Sequence, residues 1–143
     1  MAKITFKGLE EYERLLSRLG KDSGRIAGMA VYQGADIVAD AIRKNIASLP
    51  QRTGVTKRGL ESGFGISPMQ DDHGYRNVKL GFDGYNDNGV PNVLMARVFE
   101  NGTSKVPKHS FVRTAVNASR KQAEAKMAAV LDEEIKKNYE VRS

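Results

Sequence analysis

Residues 23–49 read SGRIAGMAVYQGADIVADAIRKNIASL, the longest regular stretch of the chain. Ser23 is a good helix cap, and Pro50 followed by Thr53 and Gly54 ends the pattern. At ~100° per residue, Ile26, Ala30, Val31, Gly34, Ile37, Val38, Ala41, Ile42, Ile46 and Leu49 fall within an arc of roughly 200°. Arg25, Asp36, Asp40 and Arg43 occupy the opposite side. The segment is therefore expected to be a long amphipathic helix whose apolar arc is wider than one core contact needs. Its flank of Ala27, Ala30, Gly34 and Ala41 admits another backbone at close range, that of the protein's own sheet or that of a second subunit. The other flank is large and branched.

Upstream, Ile4 and Phe6 alternate with Lys3, Thr5 and Lys7 as in a half-buried strand, and Leu9, Tyr12, Leu15, Leu16 and Leu19 follow at helical spacing up to Gly20. Residues 2–20 thus predict a strand and a short helix. Downstream, residues 50–62 are polar, basic and glycine-rich without sustained periodicity. They predict an exposed, mobile loop carrying Arg52, Thr53, Gly54, Lys57 and Arg58. Phe64, Ile66 and Pro68, a turn at Asp71, Asp72, His73 and Gly74, and the alternating Val78, Leu80 and Phe82 predict a hairpin over 63–83. In residues 84–102, Leu94, Ala96 and Val98 alternate, yet Asn92 as N-cap and Gly102 as stop favour a short helix after the glycine- and asparagine-rich loop. Residues 103–110 form a turn. From Phe111, the residues Val112, Ala115, Val116, Ser119, Ala123, Met127, Val130 and Leu131 trace one face of a terminal helix over 111–138. Asp132 with Lys136 and Glu133 with Lys137 are favourable i,i+4 pairs on it.

These elements predict one α+β domain, 1–143, with a small antiparallel β-sheet packed against a long central helix and a long C-terminal helix. Its 143 residues, 40% hydrophobic, suffice for one ordinary core and not for two well-buried domains. The absence of cysteine excludes disulfides, thiolate metal sites and a cysteine nucleophile. No stretch approaches the ~20 apolar residues of a membrane span, and the first residues contain no signal-peptide core, so the chain is expected to be soluble and cytoplasmic when made.

Candidate chemistry is sparse. His73 and His109 have no metal-ligand spacing around them, and Ser62, Ser67, Ser104 and Ser110 lie in neither a GxSxG elbow nor an SxxK pair. Gly63 and Gly65 lack the third glycine of a dinucleotide fingerprint. Asp71 and Asp72, like Asp83 and Asp87, lack the spacing of a calcium loop and read as turn formers. No catalytic residue, cofactor or metal is expected, and the chain reads as a non-enzyme. The net charge of +6 is unevenly placed. Between residues 101 and 126, Lys105, Lys108, Arg113, Arg120, Lys121 and Lys126 face Glu124 alone. Lys57 with Arg58 adds a second basic patch, which suits phosphate, but no nucleic-acid motif or interleaved aromatics accompany it.

Glu100-Asn101-Gly102-Thr103-Ser104-Lys105, then Pro107, then His109-Ser110-Phe111-Val112-Arg113-Thr114-Ala115, resembles a signature of the tail-completion, or head-to-tail joining, proteins of long-tailed bacteriophages and prophages. That pattern is close to E-x-G-T-S-K, a short spacer, then H-P-F-aliphatic-R-P-A leading into the last helix. The Thr53-Gly54 loop leading to Leu60 and Ser62 resembles the family's T-G-x-L-x-x-S, with residues 55–59 inserted, and the opening strand with Gly8-Leu9-Glu10 resembles its N-terminus. Ser110 and Thr114 stand where the family commonly has proline, and Ser110 is itself a competent helix cap.

The resemblance implies a structural virion protein, located in the tail or neck after assembly in the host cytoplasm. Its partners would be itself, as a ring that is commonly a hexamer, the tail-tube protein and a neck or head-completion protein. The expected assembly residues are Glu100, Gly102, Thr103, Ser104, Lys105, Lys108, His109, Phe111 and Arg113. Within them, Gly102 stops a helix, Thr103 and Ser104 bond the turning backbone, and Phe111 anchors the next helix. Arg113 in a first helical turn opposes the macrodipole, so a carboxylate partner is expected, with Glu100 of the same or a neighbouring subunit the candidate. The alternative function is a basic nucleic-acid-associated accessory protein, with weak contact to phage DNA compatible with either.

Overall fold

The wide apolar arc is covered from two directions. In the computed structural model, which describes residues 2–4, 23–50, 54–72 and 75–142, the segment forms helix α1 (Ser23–Ala47). The sheet packs on one side of α1 and the C-terminal helix α4 (Phe111–Arg142) along another. Ile26, Ala30, Val31, Ala35, Val38, Ala39, Ile42 and Ile46 are all buried as a result. At Gly34 the small flank meets the protein's own α4, where sheet or second subunit was expected. A Cβ on Gly34 would lie 2.6 Å from Met127 Cγ and 3.4 Å from the Ala123 carbonyl oxygen, so the two backbones approach as closely as a glycine permits. From α4, Ala115, Ser119, Ala123, Met127 and Leu131 form the facing ridge at i,i+4 spacing. Its outer side carries Lys137 between Glu133 (3.5 Å) and Glu134 (3.7 Å); the Asp132–Lys136 pair expected beside it does not form.

The sheet is antiparallel and built around β4 (Tyr75–Phe82). β1 (Ala2–Ile4) lies on one side of it, with Ala2 opposite Leu80 and Ile4 opposite Val78. β2 (Phe64–Ile66) and β3 (Gln70–Asp72) lie on the other. These two are halves of one strand. Ile66 faces Leu80 and Gln70 faces Asn77, so residues 67–69 oppose only 78 and 79, a bulge of one residue. Pro68 has no N–H to give, and the Ser67 hydroxyl accepts the Lys79 N–H at 2.8 Å at the break. The expected short helix in residues 5–20 and the turn at His73 and Gly74 lie outside the described residues.

One element differs in kind from its expectation. Residues 55–63, part of the expected mobile loop, are helix α2 (Val55–Gly63), which places Lys57 and Arg58 on a helix; Arg52 and Thr53 lie outside the described residues. Leu60 is fully buried, and the glycines that looked like loop punctuation are contact points. A Cβ on Gly59 would meet the Asn92 side chain and Asn86, and one on Gly63 would meet the Asp83 carbonyl oxygen. Helix α3 (Asn92–Asn101) follows the loop over 83–91, as favoured from the sequence. Asn92, expected at its N-cap, is instead the first helical residue. Its buried amide donates to the Asp83 carbonyl at 2.9 Å, and Pro91 takes the capping position. Among the described residues no helix is long and apolar enough to cross a membrane.

Candidate functional site

The segment carrying the resemblance is the corner between α3 and α4. At the end of α3, the Gly102 N–H donates to the Val98 carbonyl at 2.8 Å. Gly102 itself has φ of +74°, a conformation costly for any side chain. A Cβ there would also press within 3.0 Å of the Lys108 backbone, which folds back over it. Thr103 shapes the turn, its Oγ1 accepting the N–H groups of Lys105 (3.2 Å) and Val106 (2.9 Å). Ser104, expected to share that role, makes no side-chain hydrogen bond among the described residues. The chain then returns to α3: the His109 N–H donates to the Phe99 carbonyl at 2.7 Å, and the two rings lie 6.2 Å apart.

Glu100 locks the corner. Its carboxylate accepts the Val112 N–H at 2.8 Å and the Arg113 N–H at 2.9 Å, and the Ser110 hydroxyl donates to its backbone carbonyl at 3.3 Å. The first amides of a helix have no partner within it, so the last turn of α3 supplies the acceptor, and its negative charge sits at the positive end of the α4 dipole. This corrects the expected pairing. Glu100 binds the backbone of Arg113, the Arg113 side chain is exposed, and it has no ion-pair partner among the described residues. Ser110 occupies the capping position, but Glu100 does the capping. Phe111 is buried against Phe82, ring centroids 6.0 Å apart, and its carbonyl accepts from the Asn45 side chain at 2.9 Å, which ties the end of α1 to the start of α4.

This corner forms one wall of a cleft of about 210 Å³. It is lined by Phe99, Val106 and Pro107 on the side of the corner and by Leu49, Pro50 and Leu60 from the end of α1 and from α2, together with Lys57, Lys105 and His109. Of the expected assembly residues, the structure brings Lys105 and His109 to this cleft; Lys108 and Arg113 are exposed outside it, and Gly102 and Thr103 belong to the corner without lining the cleft. Lys57 and Gly54, expected on a mobile loop, form its far side, with Gly54 at φ +66° opening α2. The described lining is mostly apolar, with Thr56, Lys57, Lys105 and His109 as its polar members, an arrangement suited to binding an apolar group. Sequence reasoning missed Leu49, Phe99 and Val106 as cleft residues, since apolar residues at element ends carry no signal that separates core from cleft.

No protein-family model, no curated protein and no solved structure matches this chain.

Proposed function

We propose that the chain is a structural virion protein that assembles as a ring at the head-proximal end of a phage tail and joins the tail to the head or neck, without catalysis. The observation that supports this reading most is the capping of α4 by Glu100. It gives a physical reason for the spacing of the E-x-G-T-S-K…H-x-F-x-R signature: the glutamate must precede the glycine turn and reach forward to the amides just beyond the phenylalanine. Residues 100–113 thereby become a stiff, charged corner, suited to holding a fixed angle between subunits.

A second reading, a nucleic-acid-associated accessory protein, draws on Lys105, Lys108 and Arg113, all exposed and without carboxylate partners among the described residues. Two measurements separate the readings. Disrupting the gene in a phage or lysogen that carries it is expected to leave filled heads and unattached tails by electron microscopy, with the chain present in intact wild-type particles by mass spectrometry. Complete particles formed without the chain would overturn the virion role. Affinity for duplex DNA that falls steeply with salt would then favour the accessory role.

A further inference from the structure

We propose that copies of this chain join head to tail, with Tyr85 of one copy seated in the cleft between α2 and the α3–α4 corner of the next. The proposal rests on the assembly reading above and specifies its interface.

Tyr85 is 72% exposed, the most exposed large hydrophobic side chain described, and Leu94 close by is 45% exposed. The loop that presents Tyr85 is not slack. Tyr85 bridges to Pro91, the Asn86 N–H donates to the Val90 carbonyl at 2.9 Å, and Asn86 Oδ1 accepts the N–H groups of Asn88 and Val90, both at 3.0 Å. An aromatic ring held out on a loop that is already ordered loses little entropy on docking, which is how anchor residues at interfaces act.

The cleft matches it in size and charge. At about 210 Å³ it falls below the ~300–1,000 Å³ of small-molecule sites, and is suited to one large side chain. Its described lining is mostly apolar, includes Lys57, Lys105 and His109, and has no carboxylate among its described residues. The Tyr85 loop carries Asp83 and Asp87 and no cation of its own. Asp87 shares its charge with Arg58 at 3.4 Å, which leaves Asp83 as the stronger contributor.

The two surfaces lie on different flanks of α2. Gly59 and Gly63 face the Tyr85 loop, while Lys57 and Leu60 face the cleft. One copy therefore offers both parts at once. Such a contact between unlike surfaces closes into a ring when the rotation per subunit allows it.

Because the chain has no cysteine, paired cysteines test this directly. The double variant Tyr85→Cys/Val106→Cys is expected to give a ladder of disulfide-linked oligomers under mild oxidation. Each single variant alone should stay monomeric, and the two singles mixed should stop at a dimer. Without cross-linking, Tyr85→Ala and Lys105→Glu are each expected to weaken self-association on the order of tenfold or more by sedimentation velocity, while Arg120→Glu leaves it unchanged. Melting temperatures matching the wild type establish that each variant folds. Same-site dimers from Tyr85→Cys alone, or no ladder from the double variant, would overturn the proposal. A ladder with no particle defect on gene disruption would keep this interface and remove the virion role, and the reverse pattern would do the opposite.

Discussion

The Glu100 carboxylate and the backbone N–H of Arg113 are joined at 2.9 Å, so the residue whose charge invites an ion pair is held through its main chain. Glu100→Ala should destabilise the protein by about 1–2 kcal/mol, the cost of losing a helix cap with its dipole interaction. Arg113→Ala should stay within about 0.5 kcal/mol of wild type, as an exposed substitution does. Urea denaturation of the two variants is the check; an Arg113→Ala variant less stable than Glu100→Ala would place the ion pair back at the centre of the corner.

Gly63→Ala should cost about 1–3 kcal/mol, because its new methyl meets the Asp83 carbonyl, a backbone atom with no room to yield. Gly65→Ala, two residues on, has nothing within 4 Å of its Cβ and should be neutral or stabilise by up to about 1 kcal/mol. Thermal unfolding of the pair separates a docked helix from a mobile loop: in a loop, both changes would be silent.

Gly34→Leu drives a side chain into Met127 and the Ala123 carbonyl, and should lower stability by about 1–3 kcal/mol or more. The loss should be the same at every protein concentration, since the contact is internal. A variant that melts normally but no longer self-associates would instead assign this flank to another subunit.

Gly102→Ala adds strain from its positive φ to contact with the Lys108 backbone, and should cost about 1–2 kcal/mol or more. Amide exchange should quicken locally at Val112 and Arg113 as the corner loosens. Unchanged protection there would mean that the turn and the cap are independent.

The long helices were legible because burial on one face writes a period into the sequence, and residues 26–46 and 112–131 carry it plainly. The breadth of the α1 arc signalled two covers, yet residue size alone does not name a neighbour, so Gly34 did not reveal that α4 lies against it. Helix α2 was hidden because Gly59 and Gly63 make its contacts, and glycine gives no hydrophobic signal. Pro68 within a strand pattern was the available sign of the bulge. The corner was legible as a corner, while its central bond was not: a glutamate far upstream that caps through backbone amides lies outside every local capping pattern, and Arg113 drew attention to side-chain charge instead.

The packing of Gly34 on Met127 also bears on how the protein is made. Helix α1 leaves the ribosome well before the ridge that covers it, since Met127 follows Gly34 by 93 residues. At ~5–20 residues per second, the broad apolar arc waits for several seconds without its partner. During that interval the nascent chain is a natural client for chaperones and most exposed to aggregation.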